Sequence, residues 1–309
     1  MRKVQITGYG IKLPEKTVNF GNNVRYRISG KETQLKLAIE AAEAALQKAG
    51  LRISQIDCII AACAVGIQPI PCTAALIHEY LAKGTDIPAL DVNTTCTSFI
   101  TALDIAAFFI DGKRYRRILI ISADVPSQAL NPGHIESYEL FSDGAAAIIV
   151  EDSEKDSGII DGIQNTWSEG VHSTEIRGGL SAYHPKYYSE ETKEEFMFDM
   201  EGKRVLKLSK DKIPDMFRKF LERNNMEMSD IDMVIPHQAS SAMPLIMEKL
   251  GIAEERYINL LETHGNMVSA SVPVTLCRAF EMGKIKEGST VLLIGTAAGL
   301  TTNLMLMRI

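Results

Sequence analysis

The segment ALDVNTTCTSFITALDIAAFFIDG, residues 89–112, places a single cysteine, Cys96, between a short apolar strand and an apolar helix. The pattern predicts a helix over residues 97–111 that carries one charge, Asp104, before its last residue. A helix that is apolar on nearly every side belongs in the interior, so Cys96 is expected at the first turn of a central helix. There the free N–H groups and the positive end of the dipole favour the thiolate, which attacks carbonyl carbon atoms.

A nucleophilic cysteine needs partners, and without them Cys96 would be one more small buried hydrophobic residue. Two segments offer candidates. IPHQAS places His237 directly after a predicted strand, and ETHGNMVSASVP places Asn266 in a turn before a helix that begins near Pro273. Both are expected at the C-terminal ends of strands, where open α/β sheets gather their ligand sites. Taken alone, a histidine is more often structural, and an asparagine after glycine more often a turn residue.

The elements that position these residues alternate along the chain. Helical periodicity over residues 35–50, which end in glycine, is one of several such patterns between strands. The alternation predicts a mostly parallel or mixed sheet layered with helices. Strand character is found at residues 3–10, 56–65, 88–94, 116–124, 145–151, 158–164, 232–238, 257–262, 289–296 and 301–309.

A weak internal repeat divides the chain. SQIDCIIAAC, from Ser54, recurs as SDIDMVIPHQ, from Ser229, and each copy follows a helical pattern. Chance is the alternative, since Ser-x-x-Asp before a strand is an ordinary turn. The charged segment 151–158 lies between the copies. The repeat predicts two halves, 1–155 with the cysteine and 156–309 with the histidine and asparagine.

Composition excludes several classes of protein. With 46% apolar and 23% charged residues among 309, the chain can bury a substantial core. A net charge of -6 provides no bulk basic field for nucleic acid or an anionic membrane. The N-terminus lacks the apolar core of a signal peptide, so we expect a soluble cytoplasmic protein. Five cysteines without C-x-x-C spacing predict neither a zinc site nor a disulfide framework, and no cofactor is expected.

Four segments, two of which contain His237 and Asn266, carry a family resemblance: FSDGAAAIIVE, PHQAS, HGNMVSASVP and GTAAGLTTNLMLMRI. In order and spacing they resemble the thiolase superfamily, and most closely its β-ketoacyl-acyl-carrier-protein synthase III members. The resemblance runs over almost the whole chain. It implies an α/β fold, a duplicated α/β/α/β/α five-layered sandwich, and a homodimer.

The resemblance also implies roles for the candidate residues. Cys96 would accept an acyl group from a thioester, with its own backbone N–H and that of Ala298 as the oxyanion hole. A malonyl thioester would then lose carbon dioxide, and His237 and Asn266 would stabilise the resulting enolate. Attack on the acylated cysteine gives a 3-oxoacyl thioester. The implied partners are acyl and malonyl thioesters of acyl carrier protein or coenzyme A.

The chain departs from the family pattern where coenzyme A is usually held. The glycine-rich turn reads Ala297, Ala298, Gly299 in place of three glycines. The segment GNNVRYRISGKE contains neither a tryptophan nor an Arg-Thr-Gly run, and NPGHIESYELFSDGA contains no arginine. Because those groups commonly clamp the adenine end of coenzyme A, neither is carried over.

A local basic patch could instead attract an acidic carrier protein. GKRVLKLSKDK, from Gly202, contains five basic residues, and Lys249 follows in a later helix. An ordinary solvated helix face is the alternative. The residues predicted to bind the carrier are Lys203, Arg204, Lys207 and Lys249, called the basic cluster below.

Three functions remain open at this point. The leading hypothesis is a decarboxylating condensing enzyme of fatty acid or polyketide synthesis. The second is acyl transfer by the same cysteine to an alcohol, an amine or another carbon acid without decarboxylation. The third is a weakly active partner subunit of another synthase, which the intact set of Cys96, His237 and Asn266 disfavours.

Overall fold

The computed structural model describes residues 1–309, which form 13 strands and 8 α-helices. The strands are β1 Val4–Lys12, β2 Lys16–Phe20, β3 Asn23–Arg27, β4 Cys58–Ala61, β5 Ala89–Asp91, β6 Arg117–Asp124, β7 Gly144–Asp152, β8 Gly158–Thr166, β9 Thr174–Glu175, β10 Asp199–Met200, β11 Met233–Pro236, β12 Thr290–Ala297 and β13 Thr301–Arg308. The helices are α1 Gln34–Ala49, α2 Thr73–Leu81, α3 Ser98–Asp111, α4 Ile135–Leu140, α5 Gly202–Arg223, α6 Met243–Lys249, α7 Leu261–His264 and α8 Ser271–Glu281. No helix is long and apolar enough to cross a membrane.

Two mixed sheets share one topology. The first has the order β1-β7-β6-β4-β5 and the second the order β11-β12-β13-β8. In the first, β4 runs parallel to β6, and β6 and β1 are antiparallel to β7. In the second, β11 runs parallel to β12, and β12 and β8 are antiparallel to β13. Strands β1, β7, β6 and β4 therefore correspond to β8, β13, β12 and β11.

The helices complete five layers. Helices α1 and α2 pack on the outer face of the first sheet, where their apolar residues join Ile59, Leu119 and Ile149 in one buried cluster. Helices α5 and α6 cover the outer face of the second sheet, against Val234 and Leu292. Helices α3 and α8 lie between the sheets, in the largest buried cluster. The predicted α/β/α/β/α sandwich is confirmed, and the predicted boundary at 155/156 falls in the connection from β7 to β8.

The central position of α3 follows from its sequence. Eight of its residues are buried, including Phe99, Ile100 and Leu103, because helix α3 has a sheet on either side. Its counterpart α8 buries eight of 11 residues. Both helices are preceded by a 3₁₀ turn, at Thr95–Thr97 and at Val268–Ala270. These two turns carry the candidate site.

The strand predicted at residues 257–262 is wrong. The segment forms only an isolated parallel bridge between Tyr257 and Val234, and helix α7 begins within it. The buried side chain of Gln238 occupies the backbone groups that a sheet would use. Its Nε2 donates to the carbonyl of Ile258 at 3.1 Å, and its Oε1 accepts from the N–H of Leu260 at 2.7 Å.

Candidate active site

Cys96 lies at the centre of the 3₁₀ turn Thr95–Thr97, two residues before α3 begins, and not within the first turn of the helix as expected. The turn is strained, since the β-branched Thr95 has a left-handed φ of 52°. Side chains hold it: the N–H of Thr95 donates to Oδ1 of Asn93 at 2.8 Å, and the N–H of Thr94 donates to Oγ of Ser98 at 3.0 Å. Residues 93–98 are called the cysteine turn.

The expectation of a thiolate is wrong for the protein without ligand. Burial of the sulfur, followed by the nearby charge of Asp124, raises the pKa of the Cys96 thiol to about 12. The backbone N–H groups of Ala298 and of Cys96 itself act in the opposite direction and lower this pKa. Loss of solvation outweighs the helix end, so the resting group at neutral pH is the thiol. Both amides nevertheless favour negative charge on the sulfur.

Ala298 occupies the hairpin turn between β12 and β13. Gly299, the next residue, has a φ of 133°, a conformation that side chains rarely adopt. Two backbone hydrogen bonds fix the turn from outside, from Trp167 N–H to the carbonyl of Leu300 at 2.8 Å and from Leu300 N–H to that of Trp167 at 3.1 Å. The substitution of alanines for family glycines therefore leaves glycine at the position whose φ requires it.

His237 follows β11 directly, as the sequence predicts. Its backbone N–H donates to the carbonyl of Ile294 at 2.8 Å, which extends the pairing of β11 with β12 by one residue. The side chain is 5% exposed, and its Nδ1 is buried without a hydrogen-bond partner. Desolvation lowers the pKa of His237 to about 4, so the imidazole is neutral at pH 7 and can donate one N–H.

Asn266 follows α7 and Gly265, not a strand, and it bridges Phe141 at the end of α4. Its side chain is oriented at both ends. Oδ1 accepts from the N–H of Val268 at 2.8 Å, and Nδ2 donates to the carbonyl of Ala239 at 3.1 Å. The second N–H of the amide makes no hydrogen bond within the protein, which leaves one donor for a ligand. Residues 266–271 are called the asparagine turn.

The predicted trio comes together through these turns. The bond from Asn266 to Ala239 ties the asparagine turn to the segment that carries His237. The 3₁₀ turn of Cys96 packs against β12, which ends at the Ala298 turn, and against the 3₁₀ turn Val268–Ala270. Sequence reasoning missed Asp124, a buried carboxyl group between these segments. An acidic residue that ends the apolar strand RRILIISAD was the available signal.

The basic cluster lies at the start of α5 and beside it. Lys203, Arg204 and Lys207 are exposed on α5, and Lys249 of α6 donates its Nζ to the carbonyl of Lys210 at 2.9 Å. Lys203 and Lys207 form no salt bridge, whereas Arg204 lies 3.7 Å from Glu201. Helix α5 also approaches the Ala298 turn, since a Cβ on Gly170 would meet both Leu208 and Leu300. Three of the four residues therefore share the first turns of α5, and Lys249 lies beside a later turn of the same helix.

Fold and site geometry define a thiolase-type sandwich with a half-buried cysteine in one of two strained turns that pack together. Family profiles agree: 3-oxoacyl-[acyl-carrier-protein] synthase III matches residues 90–166, and the C-terminal part of the same family matches residues 221–309. β-Ketoacyl-[acyl-carrier-protein] synthase III of Clostridium perfringens is 31% identical over all of both chains. The enzyme of the same name from Coxiella burnetii is 33% identical over 88% of this chain and 83% of its own.

Solved structures give the same result. The crystal structure of 3-oxoacyl-[acyl-carrier-protein] synthase III from Aquifex aeolicus superimposes with a TM-score of 0.88 over 99% of this chain and all of that one, at 26% identity. The chain therefore belongs to the 3-oxoacyl-[acyl-carrier-protein] synthase III family. Membership confirms the predicted fold and an acyltransferase of the condensing type.

Proposed function

We propose that the protein joins an acyl group on Cys96 to the two-carbon unit of a malonyl thioester, with loss of carbon dioxide. In the first half reaction the sulfur of Cys96 attacks the acyl thioester, the thiol proton passes to the departing thiol, and the acyl group becomes bound to the cysteine. The tetrahedral oxyanion receives hydrogen bonds from the N–H groups of Cys96 and Ala298. The observation that carries this assignment is that the 3₁₀ turn of Cys96 packs against β12, which leads directly into Ala298, while the N–H groups of Cys96 and Ala298 lower the pKa of the thiol.

In the second half reaction the malonyl thioester loses carbon dioxide, and its electron pair moves onto the thioester carbonyl as an enolate. His237 and Asn266 each offer one N–H to that oxygen. A neutral imidazole suits this role, because a cationic one in a buried site would be costly and would bind anions indiscriminately. The enolate carbon then attacks the acyl carbon, the bond to Cys96 breaks, and the sulfur regains a proton.

The test separates the two half reactions. Intact-protein mass after incubation with an acyl thioester measures acylation of Cys96, and release of labelled carbon dioxide from a malonyl thioester measures decarboxylation. We expect both in the unmodified protein. Acylation without carbon dioxide release would favour transfer to an alcohol, an amine or another carbon acid.

We also propose that an acyl carrier protein is the preferred donor. The basic cluster supports this, because Lys203 and Lys207 are exposed cations without carboxylate partners on α5, whose Leu208 reaches the turn that contains Ala298. The hairpin of β2 and β3 occupies the stretch where the family pattern places its tryptophan and Arg-Thr-Gly run. The protein is further proposed to act as a homodimer, to which the exposed Val65, Ile70 and Tyr80 offer an apolar surface.

A further inference from the structure

The carboxyl group of Asp124, at the end of β6, is 2% exposed and lies between the cysteine turn and the asparagine turn. Its Oδ1 accepts from the backbone N–H of Ala64 at 3.1 Å and of Val65 at 3.2 Å. Its Oδ2 accepts from the N–H of Ser269 at 3.0 Å and from the hydroxyl of the same serine. All of these partners are donors, so they match an ionised carboxylate, which only accepts.

One arm of this network reaches Asn266. Ser269 follows Val268, whose φ of 53° is a strained conformation for a β-branched residue. Such a conformation persists only where its surroundings hold it. Asp124 holds Ser269 by two hydrogen bonds, and the N–H of Val268 donates to Oδ1 of Asn266. The carboxylate thereby fixes which end of the Asn266 amide faces the site.

A second arm reaches Cys96. The N–H of Ala64 donates to Asp124, and the carbonyl of Ala64 accepts from Nδ2 of Asn93 at 2.9 Å. Asn93 in turn accepts from the N–H of Thr95, the strained residue before the cysteine. The same carboxylate therefore supports both turns, the asparagine turn directly and the cysteine turn through Ala64.

We propose that Asp124 is a positioning residue that holds the cysteine turn and the asparagine turn in register. It touches neither substrate. Its effect is to place the donor of Asn266 where the enolate forms, opposite the acyl group on Cys96. This inference rests on the proposed function, because the asparagine donor matters only if an enolate is made.

The test substitutes Asp124→Asn, which keeps the shape but turns one oxygen into an N–H donor that faces other donors. A misplacement of about 1 Å can cost roughly 10²-fold in rate. We expect carbon dioxide release to fall by about 10- to 10²-fold. Acylation of Cys96 should fall less, because its arm is longer. The ratio of the two rates is the readout, since a loss of folded protein alone lowers both equally.

Two further variants address the arms separately. Ser269→Ala removes only the hydroxyl bond to Asp124, so carbon dioxide release should fall while acylation is retained. Asn93→Asp keeps the acceptor for Thr95 but loses the donor to Ala64, so acylation should fall more than carbon dioxide release. The ratio of rates should therefore shift in opposite directions in the two variants.

Asp143→Asn provides a matched control. Asp143 is a fully buried carboxyl group that accepts from the N–H of Ser127 at 3.0 Å and of Ile28 at 2.8 Å, and it bonds to neither turn. Its variant should lose stability without changing the ratio. An unchanged ratio across the Asp124, Ser269 and Asn93 variants would overturn the inference, and the last two still test it if the first does not fold. Absence of carbon dioxide release from the unmodified protein would instead overturn the proposed function.

Discussion

The substitution Asn266→Asp tests the division of labour most sharply. It keeps the side-chain shape and the acceptor for the N–H of Val268, but it removes both amide donors. One of those donors is already used by the carbonyl of Ala239, so a single N–H is available to an enolate. Removal of one donor of this kind typically costs about 10²- to 10³-fold, or roughly 2.7–4 kcal/mol in the transition state. We expect a loss of at least that size in carbon dioxide release, because the new carboxylate also repels the enolate.

Acylation of Cys96 should respond much less. The oxyanion of that step faces the backbone amides of Cys96 and Ala298, which the substitution leaves in place. The assay follows intact-protein mass with an acyl thioester, then labelled carbon dioxide from the acylated protein. His237→Ala should behave alike, because both side chains donate to one oxygen. A parallel loss of acylation and decarboxylation in Asn266→Asp would refute this reasoning.

Three other outcomes are expected. Cys96→Ser should abolish acyl transfer, because a serine hydroxyl is a far weaker nucleophile at this position. Its circular dichroism and unfolding midpoint should stay close to those of the unmodified protein. Retained transfer would exclude Cys96 as the nucleophile. Acylation should be faster from an acyl carrier protein than from the matching acyl-coenzyme A. This difference in rate should shrink at high salt and in Lys207→Ala. Equal rates at low salt would contradict the role of the basic cluster. The unfolding midpoint should fall as pH is lowered from about 6.5 towards 4, because burial lowers the pKa values of His237 and His264 to about 4 and the unfolded chain then binds more protons than the folded one. The raised pKa of Asp124, about 6, offsets part of this fall. His237→Asn should flatten the dependence of the unfolding midpoint on pH.

The layers of the fold and the place of Cys96 just before a central helix could be predicted because their signals are local. An apolar helix directly after Cys96 requires a central position whatever the rest of the chain does. The strand predicted at residues 257–262 failed for a non-local reason. Its apolar residues suit a strand, but the side chain of Gln238, 20 residues earlier, hydrogen-bonds the backbone groups that would have paired.

The pKa of the Cys96 thiol and the contact between Asp124 and Ser269 could not be predicted from the sequence. A helix N-terminus predicts a lowered thiol pKa, yet desolvation of the sulfur and the charge of Asp124 together raise it. The bond from Asp124 to Ser269 joins residues 145 apart in the chain, so no window of the sequence contains both. Only the fold shows that the strand end and the asparagine turn meet.

The cysteine turn and the asparagine turn have the same hydrogen-bond pattern. In each, an asparagine side chain accepts from the N–H of a strained β-branched residue two positions later, at 2.8 Å in both cases. Asn93 holds Thr95 and donates to the carbonyl of Ala64, while Asn266 holds Val268 and donates to that of Ala239. A serine closes each turn, since Ser98 and Ser271 accept from backbone N–H groups at 3.0 and 2.9 Å.

The two turns differ in the chemical group that lies beside the central residue. Cys96 in the first turn corresponds to Ser269 in the second. The N–H of Ala298, just after β12, lowers the pKa of the Cys96 thiol and could stabilise negative charge on an acyl group bound there. The hydroxyl of Ser269 donates a hydrogen bond to the carboxylate of Asp124, at the corresponding end of β6, and is fully buried. On the proposed function, one position of a duplicated fold therefore becomes a nucleophile beside donors, and the other becomes a tether bonded to an acceptor.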